Sequence, residues 1–274
     1  MRLPTLPGLA ATCSAAALLL LSAVASAQAK NVCTIVADAR SGGILLRDGD
    51  CDTRVTPAST FKVALAVMGF DAGILVDGNA PVLRFREGYP DWIASWRQDT
   101  TPTLWLERSV LWYSQEIARA LGKEQLAAYV RRLGYGNADV SGDPGKDNSL
   151  ERSWISSSLK ISPLEQVAFL TRLYNRALPV GSRAHDLTHR IVETWSAGGW
   201  TVHGKTGSAY PRRADGSFDR DRGWGWFVGW AEKDGEALIF ARLDQDERHT
   251  PGPGGIRARD LFLADFPNLA ESLR

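Results

Sequence analysis

The chain has 274 residues, with 32 lysines and arginines against 31 aspartates and glutamates, a net charge of +1. That balance excludes the basic footprint expected of a protein whose partner is nucleic acid or an anionic membrane. Hydrophobic residues make up 44% of the chain, enough to bury a sizeable core and too many for a disordered segment.

The chain opens on Met1-Arg2, runs through an Ala- and Leu-rich stretch from Gly8 to Ala25, and reaches Ala25-Ser26-Ala27 before Gln28. This pattern reads as a secretory signal peptide over residues 1–27. Thr12, Cys13, Ser14 and Ser22 interrupt the apolar run, which argues against a membrane span, and Cys13 is expected to leave with the signal. Residues 28–274 then form one domain, expected in the periplasm or outside the cell, with no membrane attachment once the signal is cleaved. The leader holds Arg2 and no acid, so 31 basic and 31 acidic residues remain. Thiols tend to pair in an oxidising compartment, and the remaining cysteines, Cys33 and Cys51, are expected to form one disulfide.

Val32–Asp38 is short and β-branched, turns at Ser41-Gly42-Gly43 and resumes at Ile44–Leu46, which predicts a hairpin. Thr56-Pro57 reads as a helix cap and first turn, ahead of a stretch from Phe61 to Phe70 that is apolar except at Lys62. A helix apolar on all sides is expected to be buried. Residues 79–98 read as an irregular loop. Helices follow at Val110–Leu121 and at Glu124–Leu133, the latter ended by Gly134. Ser162-Pro163-Leu164-Glu165 is a capping box that opens another helix, and His185–Ser196 reads as the next. Trp200–Gly204 reads as a strand, Tyr210–Arg222 as a charged loop, and Trp224–Ala231 with Ala237–Leu243 as a second strand pair around Lys233-Asp234-Gly235. Strands at both ends and helices between predict an α+β fold. One antiparallel sheet is built from the N- and C-terminal segments, with a helical region inserted over roughly residues 56–198.

Ser59-Thr60-Phe61-Lys62 puts a hydroxyl and an amine three residues apart on one helix face, the spacing of a nucleophile and its base. Ser59 falls in the first turn, where free N–H groups favour developing negative charge. Burial of Lys62 disfavours its ammonium form, which a lysine base requires. Ser157-Ser158-Leu159-Lys160 repeats the S-x-x-K spacing outside any apolar helix and reads as a solvated stretch. Lys205-Thr206-Gly207 follows a strand, with glycine permitting close approach of a ligand or a second backbone. His185 and His189 stand four apart, as metal ligands can, but without a third ligand the pair reads as a solvated helix face, so no metal is expected. Trp224, Trp226 and Trp230 alternate along a strand and read as sheet packing.

The order S-x-x-K, Ser109-Val110-Leu111, Tyr135-Gly136-Asn137, Trp154-Ile155, Lys205-Thr206-Gly207 and Gly225–Trp230 resembles the penicillin-recognising serine enzymes, and within them the class D, oxacillinase-type β-lactamases. The resemblance spans essentially all of residues 28–274. It implies a small-molecule β-lactam substrate, hydrolysis of its ring, and antibiotic resistance. Ser59 would be the acylated nucleophile. Lys62 would be carboxylated by carbon dioxide or bicarbonate, no other cofactor being needed, and would then act as the base. Trp154 would donate its indole N–H to that group, and Ser109 would relay protons to the leaving nitrogen. Lys205, Thr206, Gly207 and Arg257 would hold the substrate carboxylate, and the backbone N–H groups of Ser59 and Ser208 would form the oxyanion hole. Arg259 competes with Arg257 for its role, because the two would share a side if their segment were a strand. Leu111 stands where the family usually has valine, and Trp112 where proline is common; the bulkier leucine is expected to alter water access to the base. The same apparatus serves two rivals, a peptidoglycan transpeptidase or carboxypeptidase and a non-enzymatic β-lactam sensor domain.

Overall fold

The computed structural model describes Met1 and residues 29–274. The expected signal peptide lies outside the described residues. A six-stranded antiparallel sheet runs in the order β2-β1-β6-β5-β4-β3. Its strands are β1 (Lys30–Asp38), β2 (Ile44–Gly49), β3 (Glu193–Ala197), β4 (Trp200–Ala209), β5 (Trp224–Lys233) and β6 (Glu236–Gln245). The first hairpin and the last are the two that the apolar runs around Ser41-Gly42-Gly43 and Lys233-Asp234-Gly235 predict. β6 lies against β1, so the two ends of the chain meet in the middle of the sheet. Cys33 on β1 is bonded to Cys51, just past β2, which is the expected disulfide.

The helices are α1 (Phe61–Asp71), α2 (Pro102–Glu107), α3 (Leu111–Arg132), α4 (Ser149–Arg152), α5 (Pro163–Tyr174), α6 (Ser182–Ile191) and α7 (Gly254–Ser272). Every residue of α1 from Phe61 to Phe70 is buried, because the helix runs through the core between the sheet and the other helices. α3 merges the two expected helices across a kink at Gly122, whose φ of 75° only glycine adopts easily. The capping box at the start of α5 is complete: Glu165 N donates to Ser162 Oγ, and Ser162 N donates to Glu165 Oε2.

Three expectations are corrected. The helix foreseen over 185–196 stops at Ile191, and Glu193–Ala197 pairs with β4 as an edge strand. The inserted helical region therefore ends before residue 193 rather than near 198. The chain also closes on a helix, α7, which buries Ala258, Phe262, Phe266 and Ala270 against the far face of the sheet. Finally, Thr56 does not cap α1. Its hydroxyl donates to the carbonyl of Trp154 and accepts from Ser156 N, each at 2.9 Å, tying the chain before α1 to the segment after α4.

Candidate active site

Ser59 lies in a 3-10 turn, Ala58–Thr60, that leads directly into α1. Ala58 holds a left-handed φ of 50°, a conformation that costs a non-glycine residue energy and that the surroundings must enforce. Thr60 supplies part of that enforcement, its N–H and hydroxyl both donating to Pro57 O at 3.1 and 2.7 Å. Gln166 on α5 donates to Thr60 Oγ1 at 2.8 Å and thereby ties the turn to the helical layer.

Lys62 Nζ stands 3.0 Å from Ser59 Oγ. The amine is 1% exposed. Its pKa is driven far below the ordinary lysine value, first by burial and then by the positive charge of Lys205. An amine in that state is biased toward its neutral form, in which it can accept the Ser59 proton through the same contact. The ring of Phe61 stacks on Trp154 at 5.4 Å and meets Tyr135 edge-on at 5.3 Å. Trp154 is buried.

β4 brings Lys205, Thr206 and Gly207 against this turn. A Cβ on Gly207 would lie 2.9 Å from Pro57 O and 3.1 Å from Thr60 Cγ2, so glycine is what lets the strand approach. β3 pairs with β4 only as far as Gly204, which leaves the edge of residues 205–209 without a strand partner. Lys205 is 1% exposed, and its Nζ donates to Glu193 Oε1 at 3.0 Å. Ser208 is exposed, and its Oγ accepts from Gly255 N at 2.9 Å, tying β4 to the start of α7.

Ser109 links α2 to α3 with a left-handed φ of 55°, and its buried hydroxyl has no hydrogen-bond partner. Strain combined with an unused buried hydroxyl marks a group held for something outside the chain. Leu111 opens α3 and is buried. Trp112 donates its indole N–H to Trp96 O at 2.9 Å and stacks on Tyr89, so the side chain that replaces proline fastens the 79–98 loop to α3.

Tyr135-Gly136-Asn137 supports the site from behind. A Cβ on Gly136 would lie 2.0 Å from Lys160 O, and Asn137 exchanges hydrogen bonds with Lys160 N and Ser158 O at 2.9 Å each. The second S-x-x-K is thus an irregular segment clamped by this motif, and Lys160 is exposed.

A cleft of about 460 Å³ reaches the end of β4 at Ser208 and is walled by Trp92, Ile155, Tyr210, Phe218 and Asp246. A larger groove of about 850 Å³, lined by Asp139, Asp143, Lys160 and Arg212, adjoins it through Ser156, Tyr210 and Trp224. The smaller cleft is the better candidate, because Ser208 belongs to the K-T-G strand and Ile155 follows Trp154. The charged 210–222 loop borders it through Tyr210, Phe218 and Arg220, as expected from its position after K-T-G.

Arg257 does not present a free guanidinium. Nη2 donates to both carboxylate oxygens of Asp246 at 2.7 Å, and Nη1 donates to Pro251 O and Gly252 O at 2.9 Å. Arg259 donates to Asp260 and lies over Trp195. Because the segment is helical, the two arginines point about 200° apart and do not share a side. His185 and His189 are likewise not on a solvated face. His185 is buried with Nδ1 3.2 Å from Gly181 O, and the His189 ring packs 4.7 Å from Trp230. Trp226 and Trp230 are buried in the sheet as expected. Glu193, Asp246 and Trp92 are the site neighbours that sequence reasoning missed.

The family described as the penicillin binding protein transpeptidase domain matches residues 23–263. The β-lactamase OXA-9 of Klebsiella pneumoniae is 43% identical over 255 residues, 91% of this chain and 92% of that protein. The β-lactamase OXA-1 of Escherichia coli is 35% identical over 69% of this chain and 66% of its own length. Among solved structures, the OXA-427 class D β-lactamase superposes with a TM-score of 0.82 at 44% identity, over 88% of this chain and 99% of that one. A class D β-lactamase from Bacillus subtilis gives 0.71 at 28% identity, over 86% and 89%. With the nucleophile turn, the buried lysine and the K-T-G strand assembled on that fold, the chain belongs to the class D β-lactamases of the penicillin-binding transpeptidase family.

Proposed function

We propose that this protein hydrolyses the β-lactam ring of penicillins and related antibiotics through an acyl-enzyme on Ser59, and so confers resistance. The observation that carries the proposal is the 3.0 Å contact between Ser59 Oγ and a fully buried, charge-depleted Lys62. Ser59 Oγ passes its proton to the lysine side and attacks the ring carbonyl. The N–H groups of Ser59 and Ser208 receive the developing oxyanion, an effect worth roughly 3 kcal/mol per donor in other acyl-transfer enzymes. Ser109, with its unpartnered hydroxyl, relays a proton to the leaving nitrogen. Lys205 and Thr206 hold the substrate carboxylate, and Arg257 joins them only by exchanging part of its grip on Asp246.

The buried amine of Lys62, pushed toward its neutral form, and the buried indole of Trp154 support carboxylation by carbon dioxide, since a neutral amine is the reactive species and an indole N–H can only donate. Carboxylated Lys62 supplies the general base that takes a proton from a water attacking the acyl carbonyl and returns it to Ser59 Oγ as the ester bond breaks and the acyl group leaves as a carboxylic acid. The enzyme works in the periplasm or outside the cell, a reading supported by the Cys33–Cys51 bond and by the leader expected over residues 1–27. No described helix is long and apolar enough to cross a membrane. The test is turnover: purified protein mixed with excess chromogenic cephalosporin should give many equivalents of product, and Ser59→Ala none. A single equivalent from every substrate would overturn the proposal in favour of a transpeptidase or sensor.

A further inference from the structure

We infer that Glu193 is a positioning residue for β-lactam binding, acting through its contact with Lys205 to hold that side chain charged and aimed at the substrate carboxylate. The inference rests on the reading that Lys205 anchors that carboxylate.

Glu193 opens β3 opposite Gly204, the residue before Lys205, and from the end of this edge strand its carboxylate reaches the lysine. Lys205 Nζ donates to Glu193 Oε1 at 3.0 Å, with side-chain exposures of 1% and 18%. A lysine has four flexible carbons and three N–H groups. Spending one N–H on Glu193 fixes where the ammonium sits and leaves two for a ligand.

Charge requires the same partner. Burial pushes the Lys205 ammonium toward its neutral form, Glu193 opposes that, and Arg259 on α7 adds to it. Lys62 on α1 is the other basic group of the site, and its own charge is suppressed first by burial and then by Lys205. Of the described charges acting on Lys205, Glu193 is the anion and Arg259 the cation. Arg259 is itself partnered by Asp260. Without Glu193, a fully buried ammonium acted on by Arg259 would be driven further toward its neutral form, weakening the cation that meets an anionic substrate.

The test compares the parent, Glu193→Gln, Glu193→Asp and Lys205→Ala in bicarbonate-saturated buffer from about pH 6 to 9.5. Each is assayed with a penicillin and with the methyl ester of its carboxylate. Glutamine keeps an acceptor for Lys205 but removes the charge. Glu193→Gln should raise KM for the acid roughly tenfold at the alkaline end, the size of a one-unit change in the pKa of Lys205. Its kcat should stay within about twofold, the basic limb of kcat/KM should move to lower pH, and KM for the ester should not change. Glu193→Asp should recover part of the loss. If Lys205→Ala leaves KM for the acid unchanged, the underlying reading of Lys205 fails. The inference on Glu193 is overturned if Lys205→Ala raises that KM while Glu193→Gln moves neither KM nor the basic limb. It is also overturned if Glu193→Gln lowers KM for the acid, or alters acid and ester equally, at an unchanged melting temperature.

Discussion

Thr56 offers a sharp test of how the nucleophile turn is held, because its local sequence suggests a helix cap and its contacts show a bridge. The hydroxyl is buried, donates to Trp154 O and accepts from Ser156 N. Valine keeps the shape and removes both bonds, leaving a carbonyl and an N–H buried without partners. Each such group costs about 1–3 kcal/mol, so Thr56→Val should destabilise by about 2–6 kcal/mol. At about 2–4 °C per kcal/mol for a domain of this size, that corresponds to a fall in Tm of at least roughly 4 °C. Thr56→Ser keeps both bonds and should lose little. Thr56→Asp separates the two readings. Aspartate is a good cap and would cost almost nothing if capping were the role, but an ionised carboxylate cannot donate to Trp154 O and should destabilise as much as valine does. Thermal unfolding followed by circular dichroism measures all three variants. A Thr56→Asp protein as stable as the parent, or a loss below about 0.5 kcal/mol for Thr56→Val, would refute the bridge.

Gly207→Ala should cut kcat/KM roughly tenfold to a hundredfold in steady-state assays, since a Cβ placed 2.9 Å from Pro57 O must displace the turn that carries Ser59. Burial holds both His189 and His203 below the ordinary value of 6.5, with Glu232 opposing the shift at His203. A depressed base is neutral in the fold and takes up its proton on unfolding. Its contribution to stability is therefore complete above pH 6.5 and is lost as pH falls below that value. Tm should drop between pH 6.5 and 5, less so in His203→Gln, and a parent Tm that rises over this range would contradict the assignment. Shortening the 210–222 loop, which supplies Tyr210, Phe218 and Arg220 to the cleft, should change relative rates among β-lactams more than it changes Tm. An unchanged substrate profile would deny the loop a selective role.

The features legible in the sequence are those whose physics is local. Apolar runs flanking glycine-containing turns marked both hairpins, the Ser162–Glu165 capping box marked α5, and the uniform apolarity around Lys62 marked a buried helix. β3 escaped because its five residues follow a helix directly and, as an edge strand, show only weak alternation in E-T-W-S-A. The signal for α7 was present in Ala258, Phe262, Phe266 and Ala270 at four-residue spacing, but it competes with Pro267 and with Gly252, Gly254 and Gly255, residue types that disfavour helix. Glu193 could not be found from sequence at all. Its contact with Lys205, 12 residues away, depends on the register of an antiparallel pair. The same is true of Asp246, which reaches Arg257 only because α7 folds back over the end of β6.

The most direct test of the account is carbon-13 NMR of the purified enzyme in labelled bicarbonate. The buried neutral Lys62 beside Ser59 should give a carbamate signal that is absent in Lys62→Ala, fades reversibly in mildly acidic bicarbonate-free buffer, and rises in step with hydrolytic activity as bicarbonate is restored. A fully active enzyme with no carbamate signal and no response to bicarbonate would contradict it.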